Sequence, residues 1–506
     1  KEAELYTMDT ITITIPQVKI NLNLKDITFD TLENTVFHTQ MCSGRKTIEK
    51  ALFDIDNILR EKRPKGTLEN LGKKAKYFGT RLGDIRYRRT AYKDKAGGKL
   101  RCLLEERLGI RKNQRLSLTR LKIETFLASL TTYRATEENM ELLTGVKRSH
   151  EAIRQSVIKE GQGLIEHRKA EFDKIRRLED TEGEARPSHD MAYVESDATY
   201  IRRQRRHKRK GRPYRRRGRR RKSFEVKLGI GYTDKVRRYN KGRGRGLKLK
   251  DKFTYASIED GKTFMDNLSL IAEKKLSLSR AKKVIFGGDG GSYITAGIRD
   301  FFPNAVYILS KFHLKRAVKT ALARRPKAQK AINKLLKKDK IDIVLSLLWR
   351  LIQRAEDKKD RIALQDLYAY IRNNRQGINP IKRIKDKVIR GKIKGTGAME
   401  ANVDKLIAHR FKKRGMSWSE KGAQSLLKVK EAIANDEWDS WWQGRRDEPV
   451  QINTEPLRQL TAKDFWKKEP DKPPLVEMAL PALHGPDRDE PWAHVIRELQ
   501  TIDYYK

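Results

Sequence analysis

Asp197, Asp289 and Glu400 stand in stretches whose patterns would present a carboxylate at a defined place. In KKVIFGGDGGSYI, residues 282–294, the apolar run Val284 to Phe286 reads as a short buried strand that stops at Gly287 and Gly288 and delivers Asp289. The chain then turns through Gly290 and Gly291 into a helix, a setting that equally suits a helix cap or turn residue. In MAYVESDATYI, residues 191–201, Tyr193, Glu195 and Asp197 fall on one face of a strand. Two carboxylates on one strand face repel unless something positive sits there, and a divalent cation would supply it. An edge strand whose acids meet water, or meet the arginines that follow, is the alternative. Glu400 lies in the first turn of a helix opened by GTGAMEANVDKLIAHRFKKRGMSW, residues 395–418, where the macrodipole also favours an acid.

The elements that must position these acids follow from periodicity. After the strand bearing Asp197 come strands at 224–234 and 253–259, a helix over 262–276, the strand before Asp289, a helix through ITAGIRDFF and a strand at AVYILS. Three strands, a helix, a strand, a helix and a strand is the order of the ribonuclease-H-like α/β fold. Residues 314–392 read as helices. Upstream, residues 8–24 alternate as one or two strands, and 30–63 show helical spacing. Residues 76–100 read as a small basic β-ribbon on DNA or a solvated hairpin. TEENMELLTG, a turn at Val146 to Arg148 and SHEAIRQSVIKEG have helix-turn-helix shape, with Ser149, His150, Arg154 and Lys159 as groove-facing candidates, or form an ordinary helical hairpin.

Composition narrows the partner. In 506 residues, 114 Lys and Arg stand against 66 Asp and Glu, a formal charge of +48, which points to a polyanion. Fifteen of the residues from 202 to 222 are Lys or Arg, among them Arg202, Arg203, Arg205, Arg206, Arg215, Arg216 and Arg217. Such a run serves as a salt-sensitive grip on phosphates with little sequence information. No stretch approaches the roughly 18 to 20 apolar residues of a spanning helix, so no membrane partner is expected. No signal peptide is visible, although the chain begins at Lys1. Two distant cysteines, Cys42 and Cys102, fit a reducing compartment and exclude a zinc site built on paired CxxC knuckles.

Three of these motifs fit one family together. GGDGGSYI, NAVYILSKFHLKRAV and GAMEANVDKLIAHRFKKRGMSW resemble the corresponding blocks of bacterial insertion-sequence transposases of the Mutator-like DDE group, in a branch often filed as an uncharacterised protein family. VESDATYI resembles the first acidic strand of those enzymes, and the likeness covers about residues 76–442. The resemblance implies that Asp197, Asp289 and Glu400 are a catalytic, metal-binding triad holding two Mg²⁺ (or Mn²⁺) ions, with Glu195 as an alternative ligand. It also implies a DNA transposase, a polynucleotidyl transferase and endonuclease that cleaves element ends and joins them to target DNA, acting as a homodimer or larger assembly in the prokaryotic cytoplasm, on the nucleoid. His313 would contact phosphate or pack in the core, and Arg410 and Arg414 would hold end DNA or pack their helix. The family tends to carry an acid or Cys three positions before that histidine, where this chain has Ser310. A structure-selective nuclease, a domesticated transposase-derived DNA-binding protein and an RNA-binding protein drawn to RNA by its arginine run are the competing readings.

The expected domains are a strand-then-helix region at 1–75, a DNA-binding region at 76–190 with its helix-turn-helix near 136–160, and a first catalytic part at 191–313. A helical insertion at 314–392, the last catalytic helix at 393–442 and an extended tail at 443–506 complete the chain. Eight of the chain's 15 prolines lie between Pro449 and Pro491.

Overall fold

The computed structural model describes residues 20, 28–63, 66–177, 190–204, 222–237 and 247–447. Most of the strands expected over 8–24, the loop residues 205–221 and the tail after Asp447 lie outside them. Among the described residues the chain is mixed α/β, with a helical N-terminal region and a mixed sheet.

Helix α1 (Phe29–Lys62) starts at Thr28, whose hydroxyl accepts from the Thr31 N–H. It packs on a ribbon of β1 (Leu68–Thr80) and β2 (Gly83–Asp94), to which the short β3 (Leu100–Arg101) adds before α2 (Leu103–Arg107). Alternate ribbon residues Phe78, Ile85 and Tyr87 turn inward against Leu52 and Leu59 of α1. The expected boundary at 75/76 therefore cuts through β1, and α1 and the ribbon share one core. Tyr77, Arg86 and Arg88 stay exposed on the ribbon's other side.

Helices α3 (Leu118–Leu130), α4 (Tyr133–Thr144) and α5 (His150–Arg176) follow. The turn after α4 uses Gly145 at φ 66°, and Ser149 caps α5. Ile153 and Val157 of α5 are fully buried in the main core, while His150 and Lys159 remain exposed.

The main sheet comprises β4 (Met191–Arg202), β5 (Ser223–Tyr232), β8 (Phe253–Ser257), β9 (Lys283–Gly288) and β10 (Ala305–Leu309), in the order β10-β9-β4-β5-β8. β5 runs antiparallel to both β4 and β8, whereas β9 is parallel to β4 and to β10. A two-stranded ribbon, β6 (Asp234–Arg237) with β7 (Leu247–Lys250), interrupts the sequence between β5 and β8. On one face, α6 (Gly261–Leu276) and α7 (Ser292–Phe301) cover Val194, Tyr255 and Phe286. On the other, Tyr193, Leu228 and Ile285 join Val157 and residues of the C-terminal helices.

Four helices, α8 (Lys311–Ala321), α9 (Pro326–Lys337), α10 (Ile341–Gln353) and α11 (Lys358–Asn373), have a core of their own around Val344, Leu348, Leu364 and Ile371. After α12 (Lys387–Lys392) the chain returns to the sheet as α13 (Met399–Val403), a π-helical turn at Asp404–Ala408 and α14 (His409–Phe411). It closes with α15 (Glu420–Ala434) and α16 (Trp438–Asp447).

Candidate active site

The ladder brings two of the acids together. The last paired row across the parallel strands is Ser196, Gly288 and Leu309. The next residues, Asp197, Asp289 and Ser310, leave that row at one level, on strands spaced about 4.8 Å apart. This is the carboxyl end of β9 and β10, where open sheets form ligand crevices. Asp197, Asp289 and Glu400 all line the cleft there, with Ser310, His313 and Gly397.

Each wall has a local cause. The Asp289 carboxylate accepts the Gly291 N–H at 2.9 Å across the turn. Gly290 sits at φ +90°, and a Cβ there would come 2.7 Å from the Asn374 side chain. Tyr370 of α11 donates its hydroxyl to the Asp289 carbonyl at 2.6 Å, and Tyr307 donates to Asn374 at 3.0 Å. The helical insertion thus clamps the Asp289 turn from above. Asp197 accepts the Ala198 N–H at 2.7 Å. Burial, then the negative charge of Asp289, and more weakly that of Glu400, hold its carboxyl above the usual carboxylate range, against the pull of the Ala198 N–H and His313. Glu400 is exposed at the mouth, in the first turn of α13. His313 comes from the first turn of α8, which Ser310 caps. The departure at Ser310 thus serves as a helix cap beside the cleft.

A carboxyl whose protonation is favoured by a neighbouring carboxylate is a setting that a cation relieves. Among the described residues, no three His, Cys, Asp or Glu side chains converge into a ready-made metal cage. Magnesium does not need one: one or two carboxylates with substrate phosphates and water suffice, and the Asp197 and Asp289 pair fits that demand.

The remaining expected residues part company. Glu195 is 3 % exposed, and its oxygens accept from Tyr232 (2.6 Å), Gly397 N–H (2.9 Å) and Ala398 N–H (3.1 Å). It is occupied by donors, unlike a waiting ligand. Arg410, expected to hold DNA or pack its helix, does the second: it is 2 % exposed and donates to the Ala128 carbonyl at 3.0 Å. Arg154 pairs with Glu151 on its own helix at 2.6 Å, and Lys159 points outward. Arg202 is exposed at the end of β4, and Arg203 pairs with Glu420 at 2.6 Å. Arg205, Arg206, Arg215, Arg216, Arg217 and the Arg414 side chain lie outside the described residues. Sequence reasoning missed Lys235, Tyr370 and Asn374. Lys235, on β6, feels the charges of Glu195 and Glu400, while burial pulls its pKa down.

Residues 22–440 match the Uncharacterised protein family UPF0236. The chain belongs to that family. Among its relatives is a UPF0236 protein of Caldanaerobacter subterraneus subsp. tengcongensis, 23 % identical over 395 residues, covering 76 % of this chain and 74 % of the relative. A second protein of that organism is 23 % identical over 399 residues, with the same shares covered. A UPF0236 protein in the vanSb 3′ region of Streptococcus gallolyticus is 22 % identical over 411 residues, 80 % of this chain and 82 % of its own length. No helix among the described residues is long and apolar enough to cross a membrane.

Proposed function

We propose that this chain is a DDE transposase of an insertion sequence, with a ribonuclease-H-like core and Asp197, Asp289 and Glu400 as its catalytic set. The observation that carries the reading is that these three acids, from 197, 289 and 400, line one cleft at the carboxyl end of a parallel strand pair. The sheet order supports it: renumbered within the sheet it runs 3-2-1-4-5 with the second strand antiparallel. The name of one relative joins eleven locus designations, and another joins four. One protein recurring at many loci of a strain is what a self-copying element leaves behind. A charge of +48 suits a protein that must hold two DNA ends and a target.

Two Mg²⁺ (or Mn²⁺) ions held between these carboxylates and the DNA would activate the attacking oxygen and steady the leaving one. Asp197 and Asp289 supply adjacent hard oxygens from a rigid sheet, and Glu400 supplies a third from the facing helix. His313, which lines the cleft, would contact a phosphate or orient it. With water as nucleophile, the P–O bond at the element end breaks and a 3′-hydroxyl is released. That hydroxyl then attacks a target phosphate, forming one P–O bond as another breaks, so a single site serves both steps. Two ends must be held at once, which calls for a homodimer or larger assembly on the nucleoid.

The test incubates the full chain with Mg²⁺, labelled DNA carrying the element ends and a target plasmid. Cleavage at the ends with strand-joined product is expected. Cleavage without joined product under any condition would leave a structure-selective nuclease. Binding without cleavage would leave a domesticated DNA-binding protein.

A further inference from the structure

Tyr193, Glu195 and Asp197 share a face of β4, and Glu195 lines the cleft beside Asp197, but the segment 394–398 is hydrogen-bonded over Tyr193 and Glu195. The Lys394 N–H donates to the Tyr193 hydroxyl at 2.9 Å. Gly397 and Ala398 donate their N–H groups to Glu195 at 2.9 and 3.1 Å. From β6, Lys235 donates to the Gly395 carbonyl and lies 3.9 Å from Glu195. Two hundred residues of sequence separate Glu195 from the backbone it holds.

The held segment ends where α13 begins, and α13 has no side-chain cap of its own. Glu195 takes the N–H of its cap residue, Ala398, the bond that a glutamate three residues into the helix makes in a capping box. Gly397 adopts φ +121° to present its N–H, and at Gly287 of β9 a Cβ would come 2.9 Å from Thr396. The approach is close on the sheet side, where Gly287 leaves room for Thr396. Two residues further on stands Glu400.

We infer that Glu195 is a positioning residue: it fixes the 394–398 segment on the sheet and thereby sets where Glu400 enters the metal-binding cleft. This rests on reading Asp197, Asp289 and Glu400 as the metal-binding set. Glu195 acts through hydrogen bonds to backbone, without touching the metal. Tyr232, stacked on Tyr193 with ring centroids 5.0 Å apart, aims the carboxylate by donating to it at 2.6 Å.

The experiment compares wild type with Glu195→Gln, Glu195→Asp, Tyr232→Phe and Asp197→Asn. Hydrogen exchange of the 394–402 backbone and binding of MnCl₂ by electron paramagnetic resonance are the readouts. Glu195→Gln loses the charge and Glu195→Asp keeps it but falls short of the backbone. Both should speed exchange at 394–402 and weaken Mn²⁺ binding about tenfold or more, as loss of an outer-sphere support does elsewhere. Tyr232→Phe, which keeps the core shape, should move both in the same direction to a smaller extent. Asp197→Asn should abolish Mn²⁺ binding and leave exchange unchanged. Wild-type exchange in both Glu195 variants would overturn the clamp, and full Mn²⁺ affinity in Glu195→Asp would reduce Glu195 to a background charge. If wild type bound no Mn²⁺, the reading of the acids as a metal site would fall, while exchange at 394–402 would still decide whether Glu195 holds the segment.

Discussion

Asp289 depends on what surrounds its turn. Gly290 is held at φ +90° with Asn374 filling the space a side chain would need. Gly290→Ala should therefore cost about 1–3 kcal/mol in unfolding free energy. It should also slow Mg²⁺-dependent cleavage more than about tenfold, since an ångström's misplacement of a catalytic group is felt strongly. Denaturant titration and single-turnover cleavage check both, and a variant with wild-type values would show the turn to be tolerant. That Asp289 ends its strand was readable from the apolar run before it, while its pairing with Asp197 came from the strand order and the family resemblance. The role of Glu195 was not, because its donors lie at 397 and 398 and a period-two pattern shows only which face a residue shares. The available signal was the setting: a carboxylate flanked by Tyr193 and Val194 in a strand with apolar neighbours must find donors when buried.

At the scale of elements, two buried cations close the C-terminal end of α3. Arg410 donates to the Ala128 carbonyl at 3.0 Å and Lys430 to the Ser129 carbonyl at 3.3 Å. Those carbonyls are the helix end that cations favour. Arg410→Met should lower thermal stability while leaving the DNA affinity of the folded protein unchanged, measured by calorimetry and fluorescence anisotropy. A large fall in affinity without loss of stability would return Arg410 to the DNA. Burial, and then the charge of Arg410, bring the Lys430 ammonium down to about 8 from 10.5. The unfolded chain then binds more protons than the folded one between those values, so stability climbs with pH across that window and is lowest below it. Lys430→Met should flatten that climb in denaturant titrations, and a slope like wild type would contradict it. Helices such as α6 and α11 and strands such as β9 were legible because periodicity reports their buried faces. The β6–β7 ribbon was not, being short, charged and interrupted, and the basic run around Arg410 hides a buried guanidinium because composition says nothing of burial.

For the whole molecule, separate cores mark the labour of the parts: one under the N-terminal ribbon, one on each face of the sheet and one within the helical insertion. The insertion was visible in sequence as a helical block, but its grip on Asp289 through Tyr370 was not, since 81 residues separate the partners. On the proposed function, the exposed Arg86 and Arg88 of the N-terminal ribbon would offer a second grip on DNA, remote in sequence from the cleft. Replacing both by Ala should weaken binding and lower the slope of log affinity against log salt by about two, one for each phosphate no longer neutralised. An unchanged slope would leave the ribbon a solvated hairpin. The most direct measurement is Mg²⁺-dependent cleavage of labelled element-end DNA by Asp197→Asn, Asp289→Asn and Glu400→Gln beside wild type, with DNA binding followed in parallel. Each variant should bind as wild type does and cleave nothing, whereas wild-type cleavage by Asp289→Asn would contradict the assignment of the site.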